Sequence, residues 1–256
     1  MTEAPRRRRI GMLTPSSNTV LEPMASMILG GVPEVTVHYS RLPVREISLA
    51  DESLKQFELD AYLAAANLLA DAKVHVIGWN GTSASWSGFE ADARLCDAIR
   101  NAFGVEATTA VLAINELLEA LEVGRLALVT PYVSDVQSRI IDVYGAAGYE
   151  CVSEYHSGEQ INFAFADIDD QELTSAIRAA ADAKPDAIVV MCTNLRAAHL
   201  VDGLEAELGI PILDSVAAFV WKAALLCGID TRRISGWGRL FGVTSERADL
   251  KGLENA

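Results

Sequence analysis

The sequence predicts an α/β protein of two pseudo-symmetric Rossmann-like βα lobes, each with a parallel sheet, facing one another across a cleft. Three observations carry that expectation. Strand-like apolar runs alternate with helical segments along the chain, the pattern of parallel sheets covered by helices. The second half also repeats the first in order. IGMLTPSSN (10–18) corresponds to LALVTPYVSD (126–135), VHVIGWNGTS (74–83) to AIVVMCTN (187–194), and FGVEATTAVLAINELLEAL (103–121) to LGIPILDSVAAFVWKAALL (208–226). Internal repeats of this kind govern the fold assignment. Finally, the middle pair are apolar strands that break into Gly81-Thr82-Ser83 and Cys192-Thr193-Asn194. Strand ends are where open α/β sheets bind ligands, because free backbone N–H groups and helix dipoles point there.

Taken in order, IGMLTP (10–15) is a strand, and Ser16, Ser17, Asn18 and Thr19 supply N-cap chemistry for a helix over 20–29. VTVHYSRLPV (35–44) is a second strand running out at Pro43. Apolar spacing at Leu54, Phe57, Leu63, Leu68 and Leu69 predicts a helix over 51–72. The third strand, VHVIGWN, precedes a helix over 88–102, and a strand at 106–111 with a helix at 112–121 closes the half. The second half has a strand at 125–131, a helix over 133–147 and the strand ECVSEYH. A loop at 158–168 follows, then a helix over 169–183 capped by Asp169 or Asp170. After AIVVMCTN comes a helix over 195–207, then IPILDS as a short strand and AAFVWKAALLCG as the closing helix. The segment Gly236–Phe241 has no clear place in this scheme. The lobes are expected at 10–121 and 122–241, the last helix of the first free to pack across to the other. The ends, 1–9 and 242–256, are expected to be flexible.

Composition narrows the function classes. At 256 residues, half of them hydrophobic, the chain can bury a full core. A net charge of −14 argues against a nucleic-acid partner, which needs a basic face. The four cysteines (96, 151, 192, 227) form no CxxC pair, and the four histidines (38, 75, 156, 199) form no HxH or HExxH spacing. Neither a disulfide scaffold nor a metal site is expected. No apolar stretch is long enough to span a bilayer, and no h-region follows Arg6–Arg9, so a cytoplasmic protein without a membrane partner is expected. Homo-oligomerisation is compatible with all of this.

Three groups then converge on the cleft: Gly81-Thr82-Ser83, Thr130-Pro131-Tyr132 and Cys192-Thr193-Asn194. Hydroxyls of Thr82, Ser83 and Tyr132, with Thr193 and backbone N–H groups, make a ring of donors suited to a carboxylate. The ring suits still better the enediolate formed from one, since preorganised donors aimed at developing charge are usually the largest catalytic contribution. A thiol beside the ring can move a proton at the carbon next to the carboxylate. A helix N-terminus would lower the Cys192 pKa and a bound carboxylate would raise it. Each piece has a bland alternative. Cys192 is otherwise an inert buried thiol, the hydroxyls N-caps, and Tyr132 a packing residue.

The TPSSN, GTS, TPY, CTN and GWGRLF segments, in this order over residues 10–241, resemble the aspartate/glutamate racemase superfamily, and within it the arylmalonate decarboxylase and maleate isomerase branches. The resemblance implies a cofactor-independent enzyme acting on a small carboxylic acid. It implies that Thr82, Ser83 and Tyr132 hold the enediolate while Cys192 protonates it. Two-base racemases of the superfamily carry a cysteine at each strand end, and maleate isomerases carry one in the first half. Here that place is Gly81, as in the decarboxylases. Racemisation needs an acid and a base on opposite faces, whereas decarboxylation needs one acid only, which favours a decarboxylase of a substituted malonate-type diacid. By the same likeness Leu42, Val44 and Ile47 of SRLPVREIS (40–48) would form an apolar pocket for the departing carboxylate. Arg41 and Arg45 share that loop and would instead clamp a carboxylate if they faced inward. Pro15, Ser17, Asn18, Asn80, Gly81 and Asn194 complete the expected substrate contacts, the asparagines making a rather polar cleft. His199 is a further proton-transfer candidate. A racemase, a maleate-type isomerase and a non-catalytic binder of small carboxylates stand as alternatives. Gly81→Cys is expected to introduce α-proton exchange by restoring a second thiol.

Overall fold

In the computed structural model, which describes residues 7–50 and 55–244, the chain forms two four-stranded parallel sheets of identical topology. The first has the order β2-β1-β3-β4, from β1 (Arg8–Pro15), β2 (Val35–Leu42), β3 (Val76–Trp79) and β4 (Glu106–Thr109). The second has the order β6-β5-β7-β8, from β5 (Arg125–Thr130), β6 (Glu150–His156), β7 (Ala187–Val190) and β8 (Ile212–Asp214). The central strands β3 and β7 are buried at every residue, as expected where helices cover both faces of a parallel sheet. In each sheet the chain reverses direction of travel between the first and third strands of the half. The carboxyl ends of β1 and β3, and of β5 and β7, therefore flank topological switch points, where open sheets leave a crevice.

Helices fill the connections: α1 (Leu21–Ile28), α2 (Leu59–Asp71), a single turn α3 (Ala84–Ser87), α4 (Phe89–Phe103), α5 (Ala110–Ala120), α6 (Ser134–Ala146), α7 (Asp170–Ala181), α8 (Ala198–Leu208) and α9 (Ser215–Leu226). Capping explains several boundaries. Asn18 Oδ1 accepts from the backbone N–H groups of Val20 and Leu21 at 3.0 and 2.9 Å, ahead of α1. Thr109 caps α5, Asp169 caps α7, and Asp214 caps α9 by accepting from Val216 and Ala217. Helix α2 begins at Leu59 rather than 51, because Glu58 is extended (φ −74°, ψ 139°) and Lys55–Phe57 is a separate 3-10 turn. Leu54, assigned to that helix from its spacing, lies outside the described residues. Helix α8 starts at Ala198 rather than 195, so residues 192–197 form a turn between β7 and the helix. The expected loop at 158–168 contains a 3-10 segment, Asn162–Asp167.

The halves interlock. Helix α9 lies against β3, β4 and α5. A Cβ added to Gly78 would fall 2.5 Å from a ring carbon of Phe219, so glycine there is what lets the helix approach the first sheet. Lys222 of α9 pairs with Glu116 of α5 at 2.5 Å. The segment Gly236–Phe241, which the sequence left unplaced, clamps the second half. The buried Glu205 carboxylate accepts from the Arg239 and Ile212 backbone N–H groups at 2.7 and 2.8 Å, and Arg239 returns a guanidinium bond to the Glu205 carbonyl at 2.9 Å. Glu205→Ala strands two N–H donors. It is expected to cost roughly 2–6 kcal/mol, at about 1–3 kcal/mol per unsatisfied buried group, read from chemical denaturation without any substrate. A shift near zero would show that the clamp is dispensable.

Candidate active site

Strand ends bring the chemistry together. Pro15 closes β1, Gly81 stands two residues past β3, Tyr132 two past β5 and Cys192 two past β7. These four line one cavity with Thr82, Ser83, Thr193, Val44 and Ile47. Tyr132 Oη lies 2.7 Å from Thr82 Oγ1, and the Tyr132 hydroxyl is near enough to the Cys192 thiol to lower its pKa. The Thr82–Tyr132 bond thus crosses from one half of the chain to the other, in the same cavity as the thiol. Ser83 Oγ accepts from the Trp79 indole N–H at 3.2 Å, which leaves its own proton for another partner. Thr193 Oγ1 accepts from Asn18 Nδ2 at 3.2 Å.

The Cys192 sulfur is held in its protonated form. The helix after Cys192 begins six residues on, at Ala198, so the backbone groups that follow the thiol belong to a turn and not to the helix N-terminus the sequence suggested. Turn backbone supplies the local donor instead, with the Asn194 N–H 3.4 Å from Sγ. That bond and the Tyr132 hydroxyl lower the pKa, but loss of hydration outweighs them and pushes Cys192 up to about 11. Burial likewise drives the Tyr132 phenol well above its ordinary value, with the neighbouring thiol adding to the shift. Both groups keep their protons at neutral pH. Cys96, Cys151 and Cys227 are free but line no part of this cavity, so Cys192 is its one thiol among the described residues.

Several expected contacts fall elsewhere. Asn18, Asn80, Asn194 and Ser17 do not line the cavity; they brace it. Asn194 Oδ1 accepts from the Thr19 and Val20 N–H groups, and its Nδ2 donates to the Asn162 carbonyl at 2.6 Å. Ser17 donates to the Val44 carbonyl at 2.6 Å and accepts from Asn162 at 2.8 Å. Asn80 Nδ2 points at the Met12 sulfur. Leu42 is buried behind the wall, its carbonyl accepting from the Ser16 N–H. Arg41 faces outward, pairing with Glu22 and donating to the Ser16 and Asn18 carbonyls, so it fixes the β1–α1 loop from outside. Arg45 is exposed and does not line the cavity. His199 pairs with Asp170 at 2.9 Å and lines a separate hollow of about 580 Å³ between α1 and α8, which no cysteine lines.

The sequence missed Phe57, Trp79, Trp86 and Asn162, all of which line the cavity. Trp86 and Phe165 meet Tyr132 edge-on at centroid distances of 5.2 and 5.6 Å, and Phe57 meets Trp86 at 6.2 Å. The Trp86 indole N–H is buried with no partner among the described residues, an unusual state for such a donor. The cleft is therefore aromatic and apolar around a polar rim of hydroxyls, not polar throughout as three asparagines had suggested. In the sequence, the signal for this aromatic wall is the pair of tryptophans, Trp79 and Trp86, that flank Gly81-Thr82-Ser83. Among the described residues no group of three or more His, Cys, Asp or Glu side chains is placed to hold a metal ion, and no helix is long and apolar enough to cross a membrane.

Two parallel sheets with a thiol and hydroxyls converging at their switch points define a member of the aspartate/glutamate racemase-like superfamily. Within it the chain belongs to the arylmalonate decarboxylase family, whose model matches residues 10–241. The arylmalonate decarboxylase of Bordetella bronchiseptica is 29% identical over 238 residues, covering 89% of this chain and 97% of that protein. A maleate isomerase of Geobacillus stearothermophilus is 23% identical over 225 residues, covering 84% and 89%. Among solved structures, a cysteine-to-serine variant of the Nocardia farcinica maleate cis-trans isomerase with a covalently bound succinylcysteine intermediate superposes with a TM-score of 0.84. It is 24% identical, with 91% of this chain and 98% of that one covered, a likeness of fold.

Proposed function

We propose that this enzyme decarboxylates a substituted malonate-type dicarboxylic acid without a cofactor, Cys192 protonating the enediolate. The observation that supports this most directly is a single protonated thiol beside the Thr82–Tyr132 hydroxyl pair, with Gly81 at the matching place in the other half. Thr82, Ser83, Tyr132 and Thr193 hold the carboxylate that stays. The Trp86 N–H, unpartnered among the described residues, is a further donor for it. The departing carboxylate lies against Val44, Ile47 and Pro15, where little can solvate it. As the C–C bond breaks, carbon dioxide leaves and the electron pair passes into the enediolate, whose growing charge the hydroxyls stabilise. The Cys192 S–H then gives its proton to the α-carbon on one face, and solvent reprotonates the thiolate.

Aromatic edges of Phe57, Trp86 and Tyr132 suit an apolar or aryl substituent on that carbon. The cavity volume is about 20 Å³, enough for roughly one water. A substrate needs more room than this; Glu46–Ile47 and Gln160–Asn162, which pair as an isolated antiparallel bridge and contribute Ile47 and Asn162 to the lining, are the segments whose parting would provide it.

Incubating the protein with phenylmalonate, methylmalonate, 2-substituted monoacids and maleate in heavy water, followed by proton NMR, tests the proposal. Phenylmalonate is expected to lose one carboxylate and gain a single deuteron. Intact malonates with fumarate formed from maleate would replace it by the isomerase reading, which relatives of both kinds keep in view. Washout of an α-proton without carbon loss would replace it by racemisation.

A further inference from the structure

Gly81 and Cys192 are equivalent positions, each two residues beyond the end of a buried central strand, β3 closing at Trp79 and β7 at Val190. The residues two before them are equivalent as well, and they differ greatly in size. Extended backbone points residues i and i+2 to the same face, so each pair shares one volume. In the second half Val190 leaves that volume to the thiol. In the first half the indole of Trp79 fills it. A Cβ at residue 81 would lie 2.2, 2.4 and 2.9 Å from Cζ2, Cε2 and Nε1 of Trp79, closer than any real contact. Gly81 has no positive φ, so space rather than backbone conformation demands glycine. The indole has no room to step aside. It is 1% exposed, Tyr62 meets it edge-on at 5.0 Å, and its N–H is bonded to Ser83.

We propose that Trp79 sets the number of proton-transfer groups in this cleft: by occupying the volume of a side chain at residue 81, it denies the wall across from Cys192 a second acid or base. This rests on the single-acid reading above and says what enforces it. It also corrects the expectation for Gly81→Cys, which by itself cannot seat a thiol. Trp79→Val must accompany it, carrying the Val-x-Cys arrangement of β7 into β3. With two facing thiols, one as thiolate takes the α-proton of a monoacid and the C–H electron pair passes into the enediolate. The other thiol returns a proton, or in heavy water a deuteron, to the same carbon. Nothing is oxidised or reduced, and no further reactant is needed.

The test compares the parent, Trp79→Val, Gly81→Cys and the double variant by Tm and by α-deuterium uptake into phenylacetate. Overpacking is expected to lower the Tm of Gly81→Cys by about 5 °C. The double variant is expected to melt several degrees above the sum of the single shifts, and it alone should exchange the α-protons. Additive Tm shifts, exchange by Gly81→Cys at the rate of the double variant, or a seated but silent second thiol would each overturn the inference. If the thiol variants do not fold, the same Tm cycle with Gly81→Ala reads the contact. Failure of the decarboxylase reading shows separately, as phenylmalonate left intact by the parent.

Discussion

Cys192→Ala is expected to lower kcat by about 10³-fold, within the 10²–10⁴ range of a positioned proton donor, while leaving affinity for a non-reacting carboxylate nearly unchanged. The variant deletes one sulfur from a cavity whose hydroxyl donors belong to other elements, so binding and chemistry separate. A carboxylate-binding protein would share the unaltered calorimetry with malonate but would have no turnover to lose, so turnover is what separates the two readings. The pH profile adds a second reading of the same group. An acid works only while protonated, so activity falls as pH rises through its pKa. Burial has moved Cys192 up to about 11, and kcat/KM of the parent should hold level through pH 9 and decline only beyond it. An unshifted thiol would begin to fail near about 8.5. A basic limb there, or an alanine variant with parental kcat, would remove Cys192 from the mechanism.

How much of this could be read before the fold was seen depends on the kind of information. The duplication fixes which strand ends face each other, since repeated order implies repeated topology. That is why Thr82, Ser83, Tyr132, Cys192 and Thr193 were found together. What the sequence could not supply was the partner of each polar side chain. Asn18, Asn80 and Asn194 stand next to the right residues, yet their amides are used by Thr193, Met12, Thr19 and Asn162, contacts made by segments up to 175 residues apart. Leu42 fails for a different reason. Leu42 is the last residue of β2 and is buried behind the cavity, whereas Val44 and Ile47 belong to the irregular segment after the strand, whose course no periodicity predicts, and line it. Helix α8 begins late because the turn at 192–197 absorbs residues that periodicity alone would assign to a helix. Side-chain volume was the largest omission. Trp79 and Gly81 are separated by one residue in the sequence, and nothing in a motif reading announces that one fills the space of the other.

Tyr132→Phe is expected to lower kcat by about 10²–10³-fold, the loss seen when one oxyanion donor is removed, with little loss of stability. The ring stays, and so do its edge contacts with Trp86 and Phe165; only the hydroxyl between Thr82 and Cys192 goes. Its loss unpairs the Thr82 hydroxyl, a cost of roughly 1 kcal/mol, equivalent to a few degrees of Tm at about 2–4 °C per kcal/mol for a chain of this size. A merely structural tyrosine would show the Tm shift without the kinetic one. Thr82→Val separates the roles further. If threonine acts by orienting the phenol, the double variant should be hardly worse than Tyr132→Phe, because groups that work as a unit are not additive. If each donates to the enediolate independently, the losses in kcat multiply. Near-parental turnover by Tyr132→Phe, with stability equally unmoved, would mean that the charge on the enediolate is carried elsewhere. Ser83 and the Trp86 indole would then be the donors left in the cavity to carry it.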